Sequence, residues 1–341
     1  MPPIIAIHSR EGSFSDRWTQ EINKRELILK IVDCYSNTIL EDLSDCRALL
    51  WHWTQESPAD LILARHILQA CEMRGIKTFP NVATCWHFDD KIAQKYLLES
   101  VNAPIACSYV FIEKDKALQW IESAEWPKVF KLRRGAGSQN VRLVESPSEA
   151  RKLVKSAFGR GFKPYRNVWS DLPTKARKSI GKRMAWKKVL RLPIIAYRVW
   201  KKNNIIEREK GYAYFQDFLP DNHSDTRVTI IGKRAFGFIR YVRPGDFRAS
   251  GSGLIDHDIR KIDMNCVEIA FRTSSAITAQ SMAFDFVYDS DRKPKIVEVS
   301  YGYLAEAVYE CPGYWDEKLN WHPGHVWPQD MILDDMLVSL S

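Results

Sequence analysis

The chain has 341 residues, 45% of them apolar and 27% charged, and its formal net charge is +8. This composition is typical of a soluble globular protein with two or three subdomains. The first apolar run, PPIIAIH, is too short for a signal peptide and no later segment approaches a membrane span, so we expect a cytoplasmic protein. Seven cysteines without a CxxC pair favour reduced thiols over a disulfide framework or a zinc site. The positive charge indicates an anionic partner of unspecified class.

The first part of the chain alternates short apolar strands with helical stretches. IIAIH, ILKIVDC and ALLWHW are the predicted strands. This alternation predicts a small parallel α/β domain over residues 1–87. The stretch GSFSDRW follows the first strand and opens a helix with Ser13 or Ser15 as its cap, and the helix end either is simply capped or receives an anionic group.

A second α/β region follows, with a helix over DDKIAQKYLLES, a strand at CSYVFI and a helix over KALQWIESA. The strand VFKL then runs into the turn GAGS, which removes side-chain bulk and lets backbone N–H groups face an anion. Lys131, Arg133 and Arg134 add positive charge beside this turn. The turn predicts either a phosphate-binding loop or an ordinary hairpin between two strands.

The next stretch, residues 155–195, is strongly basic and includes KARKSIGKRMAWKKVLR. It is either a solvated helical insertion or a docking surface for an anionic polymer, phospholipid head groups or an acidic substrate. The run KARKSIGKRMAWKKVLR does not interleave with Trp51, Trp53, Trp86, Trp120, Trp126 and Trp169, so nucleic acid is not the expected partner.

The C-terminal part contains SMAFDFVYDSDRKPKIVEVSYG, two predicted strands joined by a polar turn. Asp285 lies in the first strand and Glu298 in the second, each among apolar residues. Buried acids are costly unless they are paired or bound to a metal, and antiparallel strands could bring these two side by side as ligands of Mg²⁺. The alternative is that both face solvent on an exposed side of the hairpin.

Taken in order from Asn81 to Gly302, these motifs resemble those of ATP-grasp enzymes. The resemblance implies an α/β (α+β ATP-grasp) fold, with a small N-terminal parallel α/β domain at 1–87 and two lobes that grip ATP. The small lobe would span 88–215 and carry the basic insertion 155–195. The C-terminal lobe would span 216–341 and carry the metal site.

The resemblance also assigns residues to the nucleotide. Two lysines would contact its phosphates, the Gly-rich loop would close over them, and the strand with QDFL would hold adenine, with Asp where the family usually has Glu. The residues assigned to ATP are Lys91, Lys131, Gly135, Ala136, Gly137, Ser138, Gln216, Asp217, Phe218, Leu219 and Asp221.

The stretch SDTRVTIIGKRAFGFIRYVRPGDFRASGSG is similar to the corresponding part of ribosomal-protein glutamate ligases and related amino-acid ligases. By this similarity Arg227 and Arg248 would face the transferred phosphoryl group and the acyl substrate as catalytic residues. Asp285, Glu298 and Ser300 match the metal ligands, although Ser300 stands where the family has Asn, and a hydroxyl is a poorer ligand than an amide oxygen.

The resemblance therefore implies an ATP-dependent ligase with ATP and Mg²⁺ as cofactors. It would join a carboxylate to an amine through an acylphosphate and release ADP and phosphate. The candidate substrates are an amino acid or small peptide, or a uronic acid of a surface polysaccharide, with an anionic polymer or glycan precursor at the basic insertion. Two alternatives stay open, an ATP-grasp kinase that phosphorylates a small molecule or glycan, and a non-catalytic nucleotide- or nucleic-acid-binding protein.

Overall fold

The structure is a computed structural model that describes residues 2–135, 140–163, 207–243, 248–249 and 252–341. The basic insertion falls outside the described residues from position 164 onward, as do Ala136, Gly137 and Ser138 of the Gly-rich turn. The described chain forms two compact units, Met1–Ala106 together with Leu219–Ser341, and Cys107–Phe218. The division into domains at 1–87, 88–215 and 216–341 stays a prediction.

The N-terminal part of the first unit is a parallel α/β sheet with strand order β2-β1-β3-β4, which confirms the α/β prediction. Its strands are β1 (Ile4–His8), β2 (Ile28–Val32), β3 (Ala48–Leu50) and β4 (Lys77–Phe79). Its helices are α1 (Phe14–Lys24), α2 (Ile39–Asp42), α3 (Pro58–Met73), α4 (Val82–Cys85) and α5 (Lys91–Ser100).

Side-chain caps fix where helices α1, α3 and α5 begin. Ser13 accepts a hydrogen bond from the Ser15 N–H at the start of α1, as the predicted serine cap requires. Ser57 accepts from the Asp60 N–H at the start of α3, whose first residue is a proline. Asp90 accepts from the N–H groups of Ile92 and Ala93, so α5 begins at Lys91. No helix among the described residues combines the length and the apolar character needed to cross a membrane.

The second unit has an antiparallel sheet with strand order β5-β8-β6-β7, packed against two helices. Its elements are β5 (Ser108–Phe111), α6 (Lys114–Ser123), β6 (Lys128–Lys131), β7 (Val141–Val144), α7 (Pro147–Phe158) and β8 (Ala213–Asp217). Because β6 and β7 pair directly, the Gly-rich turn joins two neighbouring antiparallel strands.

The C-terminal part of the first unit is an antiparallel sheet with strand order β13-β12-β9-β10-β14-β15, to which β11 adds beside β10. Its strands are β9 (Ser224–Ile231), β10 (Arg234–Tyr241), β11 (Ile255–Asp256), β12 (Ser281–Tyr288), β13 (Pro294–Ser300), β14 (Gly313–Asp316) and β15 (Trp321–Pro323). Its helices are α8 (Met264–Ala276), α9 (Ala305–Tyr309) and α10 (Pro328–Leu340). The predicted hairpin of the two acid-bearing strands is β12–β13.

An aromatic cluster joins the two sheets of the first unit. The ring of Phe88 lies 4.8 Å from that of Trp53 and 4.5 Å from that of Tyr301, between ring centroids. The Tyr301 hydroxyl donates a 2.5 Å hydrogen bond to the Trp53 carbonyl. A Cβ at Gly302 would lie 3.0 Å from the Phe88 ring, so a larger residue there would require the ring to shift. The end of β13 is thereby held against the loop that follows β3.

Candidate functional site

One face of the C-terminal sheet carries five charged side chains. Asp225 and Arg227 are two residues apart on β9 and therefore point to the same face. Asp225 pairs in register with Arg240 on β10, and Arg227 pairs with Asp285 on β12. Asp285 pairs in turn with Glu298 on β13, which confirms that the hairpin brings the two acids side by side.

Four of these side chains form a buried ion-pair network. Arg227 binds Asp285 through two hydrogen bonds, Nε to Oδ1 at 2.7 Å and Nη2 to Oδ2 at 2.8 Å. Arg240 binds Asp225 in the same way at 2.7 and 2.6 Å. Its Nη2 also lies 2.7 Å from Asp285 Oδ2. Two acids and two bases thus compensate one another, and both oxygens of Asp285 are engaged by guanidinium groups.

The protonation of the network follows from its burial and its charges. Burial alone would raise the pKa of Asp285, but the guanidinium groups of Arg227 and Arg240 outweigh it and hold that pKa below the usual range of a carboxyl group. Burial, followed by repulsion from Asp285, raises the pKa of Asp225, and Arg240 opposes this shift. Burial disfavours the charged form of Arg240, yet the two acids raise its pKa, so the guanidinium stays protonated.

Glu298 differs from its register partner because it lies at the edge of this network. Its side chain is 32% exposed, and its Oε1 lies 3.5 Å from Nζ of Lys91, whose side chain is only 7% exposed. Lys91 is the first residue of α5, and Asp90 positions it by capping that helix. The predicted phosphate-binding lysine and a predicted metal ligand are therefore neighbours.

The arrangement of these acids limits how Mg²⁺ could be bound. The described residues contain no group of three or more His, Cys, Asp and Glu side chains that could hold a metal ion. The Ser300 hydroxyl donates to the Gly302 carbonyl at 2.9 Å and accepts from the Gly302 N–H at 3.2 Å. Glu298 is left as the carboxylate that fits Mg²⁺, which proteins commonly hold with one or two carboxylates plus the substrate's phosphates. The roles of Asp285 and Ser300 as metal ligands stay predictions.

The second unit holds a separate polar cluster on one face of its sheet. Lys131 on β6 is buried, and its Nζ donates to Oε1 of Gln216 on β8 at 2.6 Å. Nε2 of Gln216 donates to Oγ of Ser108 at 3.1 Å, and the Tyr214 hydroxyl donates to the same oxygen at 3.0 Å. The cluster fixes the Lys131 ammonium beside the strand that was predicted to hold adenine.

Asp217 ends strand β8, and the residues after it leave this sheet. Asp217 accepts a 2.7 Å hydrogen bond from Lys128, its register partner on β6. Phe218 and Leu219 follow β8 and are half-buried, while Asp221 is exposed with a positive φ of 61°. The assignment of these residues to adenine and ribose stays a prediction.

A buried acid anchors the base of the Gly-rich turn. Oε2 of Glu209 lies 3.6 Å from Nε of Arg133, and its Oε1 lies 3.8 Å from Nε of Arg134. The Tyr212 hydroxyl donates to Glu209 at 2.7 Å and accepts from the Arg133 N–H at the same distance. Gly135, the described start of the turn, has a φ of 123°, which favours glycine.

The described residues thus bring together Lys91, Arg227, Asp285 and Glu298 in the first unit. Arg248 is half-buried between residues outside the described part of the chain, so its place relative to them stays a prediction. Sequence reasoning missed Asp225 and Arg240. The sequence pattern could have identified Arg240, because this charged residue directly follows the apolar run AFGFI. Asp285 stands out in the same way within AFDFV.

No family model matches the chain, and no curated protein matches it. Solved structures do match its fold. A biotin carboxylase complex from Campylobacter jejuni is similar with a TM-score of 0.58 and 14% identity, over 97% of this chain and 70% of that one. D-cycloserine synthetase DcsG is similar with a TM-score of 0.55 and 13% identity, over 99% and 100% of the two chains.

A third similar structure is the ATP-grasp ligase PsnB complexed with a minimal precursor, with a TM-score of 0.55 and 12% identity over 100% and 99% of the two chains. These identities are low, so the likeness concerns the fold. The similarity extends over nearly the whole length of this chain in all three structures. The chain therefore has the ATP-grasp fold.

Proposed function

We propose that this chain is an ATP-dependent ligase that joins a carboxylate to an amine through an acylphosphate and releases ADP and phosphate. The observation that carries the proposal is the charged face of the C-terminal sheet, where Lys91 and Arg227 flank Asp285 and Glu298 within an ATP-grasp fold. Phosphoryl transfer asks a protein mainly for positioning and charge neutralisation. No side-chain nucleophile is needed for this chemistry.

In the first unit, Arg227 would stabilise the negative charge that develops during transfer. Asp285 binds its Nε and Nη2, which fixes the plane of the guanidinium and leaves Nη1 outside this pair of hydrogen bonds. A cation held in place before the reaction stabilises a transition state without reorganisation. Arg248 would assist as the second arginine near the acyl group.

Lys91 and Glu298 would act on the phosphates of ATP. Bound Mg²⁺ would neutralise phosphate charge, and Glu298 would hold it together with the phosphate oxygens. Lys91, buried beside Glu298, would contribute a positive charge to the same phosphates. Asp285 and Ser300 would join as ligands only by exchanging their present hydrogen bonds.

Lys131 of the second unit would contact the phosphates, and the backbone of Gln216, Asp217, Phe218 and Leu219 would hold adenine. The 2.6 Å hydrogen bond from Lys131 to Gln216 supports this assignment, because it keeps a buried ammonium beside the adenine-binding strand. The Gly-rich turn, with Glu209 anchoring its base, would cover the phosphates.

The substrates we propose are an amino acid or small peptide as one partner, with a uronic acid of a surface polysaccharide as the alternative carboxylate. D-cycloserine synthetase and a ligase bound to a minimal precursor are among the similar folds, which supports an amine and a carboxylate of small size. We place the reaction in the cytoplasm, where ATP is supplied.

The test is ADP release from Mg-ATP across paired panels of amines, amino acids and uronic acids. We expect release to require one acid and one amine together. Glu298→Gln should lower the rate by about 100-fold or more, since a metal ligand supports several kcal/mol of charge stabilisation. Glu268→Gln, the same change at an exposed position of α8, is the matched control and should leave the rate unchanged.

Two results would contradict the ligase. ADP release that needs an acceptor but no amine would establish a kinase instead. Binding of Mg-ATP without turnover across the panel, together with a steeply salt-dependent affinity for RNA or DNA, would favour the non-catalytic nucleic-acid-binding alternative.

A further inference from the structure

The carboxyl edge of the N-terminal sheet contains an arginine that the proposed ATP site does not use. In the strand order β2-β1-β3-β4, the chain moves to one side of β1 and then returns to the other side, so the order reverses between β1 and β3. Ligands of open α/β sheets bind outside the carboxyl ends of the strands at such a reversal. Arg10 follows the end of β1 and His52 follows the end of β3, so these two residues flank the reversal.

The guanidinium of Arg10 has no acidic partner among the described residues. Its Nη2 donates to the His52 carbonyl at 3.0 Å, and its Nε is buried without a hydrogen-bond partner. Two nearby arginines differ: Arg17 in helix α1 binds Asp330, and Arg25, which follows that helix, binds Asp334. A half-buried cation without a counter-ion is costly, and a bound anion removes that cost.

His52, which follows β3 at the same edge, carries a second hydrogen-bond donor. Burial, with a smaller contribution from Arg10, lowers the pKa of His52 to about 3, so the ring is neutral. Its Nδ1 accepts a 3.3 Å hydrogen bond from the Phe14 N–H, which puts the ring proton on Nε2. The ring is held by stacking on Phe14, with centroids 3.9 Å apart.

The nearby start of α1 does not need an anion of its own. Ser13 Oγ accepts from the Ser15 N–H, and Ser15 Oγ accepts from the Arg10 N–H. Asp16 Oδ2 accepts from the Gly12 N–H at 2.7 Å. The helix end is therefore satisfied by its own side chains, and recognition of an anion falls to the side chains of Arg10 and His52.

This edge is also connected to the end of the strand that carries Glu298. The ring of His52 lies 6.1 Å from that of Tyr301, between centroids, and Tyr301 follows β13 directly. The Tyr301 hydroxyl binds the Trp53 carbonyl, one residue after His52. A small molecule held at Arg10 would thus lie on the side of the unit where β13 ends.

We propose that Arg10 and His52 bind a carboxylate group of the substrate at the carboxyl edge of the N-terminal sheet, an inference that rests on the proposed ligase function. The planar fork of an arginine matches a carboxylate, and the hydrogen bond from Nη2 to the His52 carbonyl holds that fork in one orientation. The site therefore selects substrates that carry an anionic carboxylate, such as an amino acid. Inorganic phosphate is the competing occupant that the same donors could accept.

The test is calorimetric titration of the full chain without nucleotide, using acetate, L-alanine, L-glutamate, L-alaninamide and inorganic phosphate as probes. We expect at least one carboxylate to bind with a Kd of about 10 mM or tighter and more tightly than phosphate, while the amide L-alaninamide does not bind. Arg10→Lys, which keeps the charge but loses the fork, should weaken binding about tenfold or more, and Arg10→Met should abolish it.

Arg74→Met is the matched control. Arg74 also donates to a backbone carbonyl, that of Leu40, but it is exposed and precedes β4, at the opposite edge of the same sheet. This variant should bind the probes as the wild type does. The proposal is overturned if no carboxylate binds the wild type, if phosphate binds more tightly than every carboxylate, or if Arg10→Lys binds as tightly as the wild type.

The outcome is separate from that of the ligase proposal. Carboxylate binding that depends on Arg10, in a protein that releases no ADP with any acid and amine, would leave this site standing and remove the ligase. Acid-dependent ADP release with an unchanged KM for the acid in Arg10→Lys would support the ligase and remove the Arg10 site. A raised KM with an unchanged kcat in that variant supports both.

Discussion

Two regions of the first unit differ in whether their buried polar groups have partners. On the C-terminal sheet, Arg240 is held by carboxylates on both sides, Asp225 and Asp285. Near the N-terminal sheet, Nε of Arg10 and both ring nitrogens of His87 are buried without a hydrogen-bond partner in the described part of the chain. A charge that protein groups compensate on both sides, as they do for Arg240, belongs to the framework, whereas an unpartnered group either awaits a ligand or lowers stability. The difference tells us which side chains to assign to structure and which to binding.

The largest effect is expected from breaking the paired region. Arg240→Met would leave Asp225 buried without the guanidinium that binds it among the described residues, while Asp285 would keep Arg227. Removing one partner of a buried ion pair typically costs about 3–5 kcal/mol of unfolding free energy. Urea denaturation followed by tryptophan fluorescence measures the loss.

Two variants sharpen this result. Arg260 binds Asp258 through two hydrogen bonds of 2.8 Å, as Arg240 binds Asp225, but its side chain is exposed. Arg260→Met should therefore leave the denaturation midpoint unchanged. The double variant Asp225→Asn, Arg240→Met should recover part of the stability, because it removes the uncompensated acid. A loss in Arg240→Met as small as that in Arg260→Met would mean that the network is not part of the framework.

A smaller effect of opposite sign is expected at His87. This side chain is fully buried, and His87→Phe removes two unpartnered nitrogen atoms without breaking a hydrogen bond. Leaving a polar group buried and unsatisfied costs about 1–3 kcal/mol, so the variant should be at least as stable as the wild type at pH 7. A destabilised variant would show that His87 has a partner in solution, such as a bound water or ligand.

The pH dependence of stability gives a second measurement on the same variant. Burial, and to a lesser degree Arg65, lowers the pKa of His87 from 6.5 to about 4. Between these values the unfolded chain binds a proton that the folded chain does not, so stability falls as the pH drops below 6.5. At pH 5 this amounts to about 2 kcal/mol. His87→Phe should lose that part of the acid sensitivity, whereas His66→Phe, at an exposed position of α3, should retain it.

Local patterns in the sequence were enough to predict the secondary structure that builds the site. The alternation of apolar residues in AFDFV and IVEVS predicts two strands, and the polar turn between them predicts their antiparallel pairing. The register of β12 and β13 confirms that Asp285 and Glu298 lie opposite each other. The serine cap of α1 could likewise be predicted from the residues that surround it.

The partners of those residues could not be predicted, because they depend on the order of strands in the sheet. Asp285 meets Arg227 and Arg240 only because β9 lies between β12 and β10, and no local pattern encodes that order. The same limit applied to Arg10. That no acid of the described residues pairs with it is a property of the folded chain, so the sequence pattern predicted only the serine cap beside it.

The smallest effect is expected at Ser300. Its hydrogen bonds within the protein indicate a structural role, whereas the resemblance to ATP-grasp enzymes assigns it to the metal. Its hydroxyl is engaged with both backbone groups of Gly302, and Gly302 is confined by the Phe88 ring. If that pairing persists when ATP binds, Ser300→Ala should change the Mg²⁺ concentration required for ATP binding by less than about threefold, because Glu298 and the phosphates supply the ligands. Equilibrium dialysis of labelled ATP against increasing Mg²⁺ measures this, with Glu298→Gln as the variant that must respond. A tenfold or larger rise of the Mg²⁺ requirement in Ser300→Ala, about 1.4 kcal/mol of binding free energy, would mean that the hydroxyl leaves Gly302 to bind the metal. In that case a hydrogen bond to another protein group would not exclude a side chain from binding the metal. Asp285, which is also hydrogen-bonded within the protein, would then again be a candidate metal ligand.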